Sequence, residues 1–290
     1  MHSLQERCPG RIRHLDVISV DSTDEFARAF QHVKRRLITR GGVYLRKALK
    51  LLWPVVWLNA FFDRYTGGRN RPAFFDIDST FPALNRITEH QAMIKEEVAA
   101  ILRAKPSIPR YHEIDFIQFS ISGRLNKDKD WKILMLYAMG ERPAVSRSLC
   151  PGTCALLDEI PDLFQAFFSI LDAGKSIPRH TGPYRGYLRY HLALKVPRRN
   201  PPSLRVKDQW YVWQEGKAIL FDDTHCHEVV NKADDDRVVL VIDVPRPMPP
   251  VARFVNRLIA QGAAKYVYAK GVMRMSLLIW RLSKMVSRSA

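Results

Sequence analysis

From about residue 116 to residue 245 the apolar positions fall into short runs broken by Gly, Pro and Asp. They are Trp131-Lys-Ile-Leu-Met-Leu-Tyr137, Ala166-Phe-Phe-Ser-Ile170, Gly186-Tyr-Leu-Arg-Tyr-His-Leu-Ala-Leu-Lys-Val196, Trp210-Tyr-Val-Trp213, Ala218-Ile-Leu-Phe221 and Arg237-Val-Val-Leu-Val-Ile-Asp-Val244. Runs this short, rich in β-branched and aromatic residues, read as strands. Several in succession predict a mainly β core of the double-stranded β-helix type, a jelly roll of cupin-like form. Ahead of them Leu84, Ile87, Ile94, Val98, Ile101 and Leu102 recur near helical spacing between Thr80 and Arg103. That spacing predicts one or two amphipathic helices flanking the β core.

The two ends read differently. Residues 1–72 form a basic, partly helical extension in which Lys34, Arg35, Arg36, Arg40, Arg46, Lys47 and Lys50 precede Leu51, Leu52, Trp53, Val55, Val56, Trp57, Phe61 and Phe62. Basic residues followed by aromatic and aliphatic ones suit a segment lying at a membrane interface, or equally a helix packed on the β domain. The most apolar stretch, Ala48 to Phe62, contains Lys50 and Pro54 and is shorter than the ~20 residues that span a bilayer. Thr66 to Pro72 has the Gly, Asn and Pro content of a linker, which sets the β domain at residues 73–248. Residues 249–290 are expected to form a basic amphipathic helical tail.

Charge sharpens the picture. Lys and Arg number 46 against 29 Asp and Glu, a net charge of +17, and from Arg246 onward there is no acidic residue at all. Such an excess calls for an anionic partner, nucleic acid or a bilayer surface. Long aliphatic side chains interleave the tail's charges, among them Val267, Leu277, Leu278, Ile279, Leu282 and Val286; this favours an anionic membrane surface, and nucleic acid is not expected. The N-terminus lacks an apolar signal-peptide core, which points to the cytoplasm. Cys8, Cys150, Cys154 and Cys226 are expected to be reduced thiols rather than a disulfide framework. The Cys150-x3-Cys154 pair lacks a second Cys/His pair to complete a zinc tetrahedron.

Ligand-type residues concentrate in three segments: Ser169 to His180, Arg189 to His191, and Asp222 to Arg237. His180 sits in a Gly/Pro-rounded stretch at a strand end, and His227 lies where an apolar strand runs into a polar turn and a second strand. A jelly roll brings two such strand ends to one mouth. Neutral imidazoles suit ferrous iron, and an oxygenase must leave coordination positions open. The carboxylate that usually completes such a site stands two residues after the first His; here that position is Gly182. Asp222, Asp223 and Glu228 are the alternative oxygen donors, with water as the remaining possibility. A dicarboxylate co-substrate needs a buried cation, and Arg237 opens an intensely apolar strand; Arg189 shares a strand face with His191 by period-two alternation.

At these residues the chain resembles the aspartyl/asparaginyl β-hydroxylase family, over about Phe75 to Met248. The marks are His180-x-Gly-Pro, Gly186-Tyr-Leu-Arg-Tyr-His-Leu-Ala-Leu, Trp213-Gln-Glu-Gly, Phe221-Asp-Asp-Thr-x-x-His-Glu-Val-x-Asn, Arg237-Val-Val-Leu and Asp243-Val-x-Arg-Pro. The resemblance implies an Fe(II)- and 2-oxoglutarate-dependent dioxygenase whose iron is held by His180 and His227 alone. It assigns the 2-oxoglutarate arginine to Arg237, ten residues after His227, and further co-substrate contacts to Ser169, Arg189 and His191. It gives His225 and Cys226 no role. The basic ends fit the bacterial branch that hydroxylates lipid A or ornithine lipids, acting on an acyl chain or headgroup as a peripheral protein on the cytoplasmic face of the inner membrane. A peptidyl aspartate/asparagine hydroxylase and a non-catalytic membrane-docking jelly roll are the alternatives.

Overall fold

The computed structural model describes residues 43–104, 108–115, 122, 129–274 and 276–277. Ten antiparallel strands form its centre: β1 (Phe74–Phe75), β2 (Trp131–Ala138), β3 (Gln165–Leu171), β4 (Ile177–His180), β5 (Tyr187–Lys195), β6 (Ser203–Val206), β7 (Gln209–Val212), β8 (Ala218–Phe221), β9 (His227–Val230) and β10 (Arg237–Pro245). A six-stranded sheet runs β1-β8-β5-β10-β3-β2 and a four-stranded sheet β4-β9-β6-β7. Ile133, Phe167, Val239 and Val241 of the larger sheet pack against Ile177, Leu204, Val206 and Val229 of the smaller one. Two antiparallel sheets closed on a shared interior make the double-stranded β-helix that the strand pattern predicts.

Period-two alternation fixes which side chains enter that interior. Along β10, Val238, Leu240, Ile242 and Val244 face outward onto Leu84, Ile87, Ile94, Val98 and Ile101 of the flanking helices. The opposite set, Arg237, Val239, Val241 and Asp243, faces the smaller sheet. Register carries this parity across neighbours: Val239 lies opposite Ser169 and Ala193, Val241 opposite His191, and Asp243 opposite Arg189 and Gln165. The central strands are thus covered on both faces, so polar residues inside them are buried by construction.

The helical region from Thr80 to Arg103 resolves into a 3-10 turn, Pro82–Leu84, and two helices, Asn85–Glu89 and Gln91–Arg103. Two short helices that the sequence pattern did not reveal, Ala144–Leu149 and Pro151–Asp158, carry Cys150 and Cys154 into the core as free, buried thiols. Four-residue strands were harder to read than long ones: β4 and β6 sit in segments with too few apolar positions to show a period.

At the N-terminal side, Val43–Thr66 is a helix with Pro54 inside it, while the basic run Lys34 to Arg40 lies outside the described residues. Phe62 is fully buried against Met248 and Ala252, in keeping with a helix packed on the domain, whereas Trp57 is largely exposed. The stretch with linker composition carries Arg71 into the interior, where its Nε donates to Asp222 Oδ2 at 2.8 Å. Beyond β10 the chain continues as the helix Pro250–Ile259 and π-helical turns over Ala260–Ala269; the tail from 278 to 290 lies outside the described residues. Among the described residues no helix is long and apolar enough to cross a membrane.

Candidate active site

His180 ends β4 and His227 opens β9, and the two are direct partners across that strand pair. Their ring centroids are 4.0 Å apart at an interplanar angle of 51°. Each Nδ1 faces a backbone carbonyl two residues earlier in the chain: His180 Nδ1 to Pro178 O at 2.8 Å and His227 Nδ1 to His225 O at 2.9 Å. A nitrogen facing a carbonyl must carry the proton, which fixes both tautomers and leaves both Nε2 lone pairs free. Burial favours the neutral ring: it pulls His180 down to about 4 and, reinforced by the neighbouring His180, holds His227 well below the ordinary imidazole value. Two neutral imidazoles with ring centroids this close and Nε2 atoms free suit one divalent cation, and the carbonyl partners are the orienting contacts such ligands need.

Gly182 has a physical reason to lack a side chain. A Cβ built there would lie 2.4 Å from Asp223 Oδ1 and 2.6 Å from Asp223 Cγ and Oδ2. The Asp223 carboxylate occupies the space a residue-182 side chain would enter, and Gly182 N donates to Asp223 O at 2.8 Å. Asp223 Oδ2 accepts from Tyr187 Oη at 3.0 Å and faces Arg189 Nη1 at 3.1 Å, while Oδ1 is buried without a partner. Burial drives the Asp223 carboxyl up to about 7, aided by Asp243 and Asp222 against the pull of Arg189.

Of the other oxygen donors considered from the sequence, Asp222 is tied to Arg71 and Arg246 at 2.8 and 2.7 Å. Glu228 pairs with Arg205 at 2.7 Å. Among the described residues no third His, Cys, Asp or Glu joins the pair in a metal-binding group.

Deeper in the same interior lies Arg237. Its Nη2 donates to Ser169 Oγ at 3.1 Å, its guanidinium stacks over the Trp213 ring at 4.6 Å, and Nε and Nη1 are buried without partners. Burial alone lowers its pKa to about 9, and the group remains a cation at neutral pH. Ser169 Oγ also accepts from Trp131 Nε1 at 2.9 Å. With both acceptor positions used, its hydroxyl proton is left to point at a ligand. His191 stacks on Trp213 at 6.0 Å, and His191 Nδ1 and Trp213 Nε1 are likewise unpartnered. Burial, then the charge of Arg237, keeps His191 neutral.

Unpaired buried polar groups cost free energy, roughly 1–3 kcal/mol each and more when charged. Several unpaired nitrogens converging around one guanidinium therefore mark a place built for an anion. Arg189, by contrast, grips Asp243 with two bonds of 2.7 and 2.8 Å and Asp223 with a third nitrogen. Two of its five N–H groups remain for a ligand.

Sequence reasoning missed two contributors and gave a third, Asp222, another role. Trp213 stood in a quoted motif without a role, and its burial between Arg237 and His191 was not visible because it lies beyond the end of β7. Arg71 comes from a stretch of linker composition. Asp222 is buried, which opposes its ionisation, yet the Arg246 and Arg71 charges overcome this and hold it ionised; Thr224 Oγ1 and N also bond its Oδ1. This network fixes the turn leading into His227. His225 Nε2 faces Arg71 O at 3.2 Å and so belongs to the same scaffold. Cys226 corrects the expectation of reduced thiols, being disulfide-bonded.

Comparison with known proteins places the chain in a family. The aspartyl/asparaginyl beta-hydroxylase family model matches residues 88–247, a span containing both histidines and the buried Arg237 pocket. An ornithine lipid ester-linked acyl 2-hydroxylase of Rhizobium tropici is 37% identical over 203 residues, 70% of each chain. The human aspartyl/asparaginyl beta-hydroxylase is 33% identical over 128 residues, which cover 42% of this chain and only 17% of that protein. Among solved structures, a Pseudomonas putida prolyl-4-hydroxylase aligns over 54% of this chain and 88% of its own with a TM-score of 0.36 and 14% identity. The chain belongs to the aspartyl/asparaginyl β-hydroxylase family.

Proposed function

We propose that this protein is an Fe(II)- and 2-oxoglutarate-dependent hydroxylase acting on a fatty acyl chain or headgroup of a membrane lipid of the ornithine-lipid or lipid A type. The observation that carries the reading is the pairing of two neutral imidazoles, Nε2 atoms free, with a buried guanidinium whose Nε and Nη1 have no partner. When bound there, Fe(II) with 2-oxoglutarate and dioxygen supplies the chemistry that inserts one oxygen atom into a C–H bond, with succinate and carbon dioxide as co-products.

The residues divide the work by position. His180 and His227 would hold the metal through two nitrogens, and so small a protein ligand set would leave room for co-substrate and dioxygen. Arg237 would receive the remote carboxylate of 2-oxoglutarate through its unpartnered nitrogens, and the Ser169 hydroxyl bonded to its Nη2 would add a donor. His191 and Trp213 wall the pocket and offer further nitrogens. Arg189, neutralised by Asp243, holds Asp223 in place; the unpartnered Asp223 Oδ1 beside Gly182 is the acceptor available there for a water. The barrel walls exclude bulk water, which strengthens these contacts.

Lipid rather than peptide as substrate is supported by the 70% coverage shared with the acyl hydroxylase of Rhizobium tropici and by the net charge of +17. Action at the cytoplasmic face of a bacterial inner membrane is the matching location. The test is incubation of the purified protein with Fe(II), 2-oxoglutarate, dioxygen and a bacterial lipid extract. Lipid-dependent succinate and a mass gain of one oxygen on an acyl lipid are expected. Oxygen gained only by peptides, or no lipid-dependent succinate, overturns the assignment.

A further inference from the structure

The helix Pro250–Ile259 lies beyond the family-matched span, and its three faces differ. At about 100° per residue, Ala252 and Asn256 fall on one face and are buried. Arg253 and Arg257 fall on a second. Val251, Phe254 and Leu258 fall on a third and are 64%, 63% and 57% exposed. A contiguous stripe of large apolar side chains turned to solvent signals a partner, because scattered single exposures are the norm and an aligned set is not. Beside it lies a cavity of about 590 Å³ whose lining includes Arg253 and Lys265, with Arg257 paired to Asp162 at 3.3 Å.

The buried face of this helix reaches the segment that follows His180. Asn256 Oδ1 accepts from Tyr184 Oη at 2.7 Å, and Asn256 Nδ2 donates to Gly186 O at 2.7 Å. From the other side, Asn59 of the helix Val43–Thr66 donates to Pro183 O at 2.9 Å and accepts from Arg185 N at 2.9 Å. The stretch Thr181 to Gly186, which leads directly out of His180, is therefore clamped between the two helices that flank the family domain.

We infer that the Val251–Phe254–Leu258 stripe is the membrane-docking face of this protein, inserted among the acyl chains of an anionic bilayer while Arg253 and Lys265 meet phospholipid headgroups, and that it sets the active-site mouth toward the membrane. Charge complementarity selects the occupant. The chain is strongly cationic and has no Asp or Glu from Arg246 to its end, a combination that repels a second copy of itself and attracts an acidic lipid surface. This inference rests on the lipid-hydroxylase reading only for what docking accomplishes; docking itself is measured without catalysis.

The experiment compares the full chain with Val251→Ser/Phe254→Ser/Leu258→Ser in sedimentation with vesicles of phosphatidylglycerol or of phosphatidylcholine, alongside thermal denaturation and sedimentation velocity. All three positions are exposed, so the variant is expected to keep its melting temperature. Its binding to phosphatidylglycerol vesicles should fall on the order of a hundredfold, from the apolar area withheld from the bilayer. A second variant, Arg253→Gln/Lys265→Gln, should bind more weakly and with a shallower salt dependence. In wild type and triple variant alike, hydroxylation of detergent-dispersed lipid should be equal, and only lipid in vesicles should escape the variant. Vesicle binding by the triple variant equal to wild type overturns the inference, as does a triple variant altered only in a monomer–dimer equilibrium, which would make the stripe a contact between copies. Failure of wild type to hydroxylate dispersed lipid overturns the lipid-hydroxylase reading and leaves the docking result standing.

Discussion

Replacing Arg237 by Met separates a ligand-binding guanidinium from a structural one, because the two roles predict opposite signs. In the structure the group is 1% exposed, makes one hydrogen bond to Ser169, stacks on Trp213 and leaves two nitrogens unpaired. Losing the Ser169 bond and the ring contact removes about 1–3 kcal/mol. Relief of burying an incompletely paired cation offsets this, and replacing buried ionic groups by apolar ones of similar size is often neutral or stabilising, by about 1–4 kcal/mol. The ligand-free Arg237→Met protein is therefore expected to melt at the wild-type temperature or up to roughly 4–8 °C above it, a gain of ~2 kcal/mol.

With 2-oxoglutarate the order reverses. Wild type at ~100 times its dissociation constant gains about 2.7 kcal/mol. The variant, deprived of two charge-assisted bonds worth about 1.5–3 kcal/mol each, gains almost nothing at that concentration, and its co-substrate requirement rises on the order of 10²–10⁴-fold. Thermal melts with and without 2-oxoglutarate, paired with succinate assays, read both quantities. A ligand-free variant that melts well below wild type yet keeps the wild-type 2-oxoglutarate requirement refutes the reasoning.

Three further outcomes follow from the same geometry. Gly182→Asp, which restores the carboxylate at its usual position, should lower activity and stability rather than rescue a three-ligand site, because its Cβ meets Asp223 at 2.4 Å; Gly182→Ala should already cost about 1–3 kcal/mol in denaturant unfolding. Acid sensitivity has a defined sign. His180 is held at about 4 when folded and returns toward 6.5 when unfolded, so the unfolded chain binds the extra proton between those values and stability declines as pH falls from about 6.5 to about 4, with metal retained to lower pH than by exposed histidines; a pH-independent melting temperature across that window would contradict the neutral state that burial enforces on His180. Arg71→Ala leaves Asp222 buried with Arg246 as its remaining charge partner, and should cost about 3–5 kcal/mol, seen as a lowered melting midpoint with weakened metal binding.

The long central strands were legible because β2, β3, β5 and β10 carry enough apolar positions to show a run, and the parity within β5 correctly put Arg189 and His191 on one interior face. His180 and His227 were legible through their polar surroundings at strand ends, and the structure sets them opposite each other across β4 and β9. What stayed hidden depends on contacts distant in sequence. Nothing near Gly182 reveals that Asp223 fills its side-chain space, and nothing near Arg71 reveals a partner 151 residues away. The exposed stripe on Pro250–Ile259 illustrates a different limit. Its apolar periodicity is that of any packed helix, and only the structure tells which apolar face is left in solvent.

The central claim is that His180 and His227 share one ferrous ion beside a 2-oxoglutarate site at Arg237. Anaerobic titration of the protein with Fe(II) and 2-oxoglutarate, followed by the visible charge-transfer absorption of the chelate, tests it most directly. One equivalent of iron should bind and the absorption should rise in wild type, with both lost in His180→Ala and in His227→Ala although each variant stays folded. Unchanged iron binding and absorption in either variant would contradict the account.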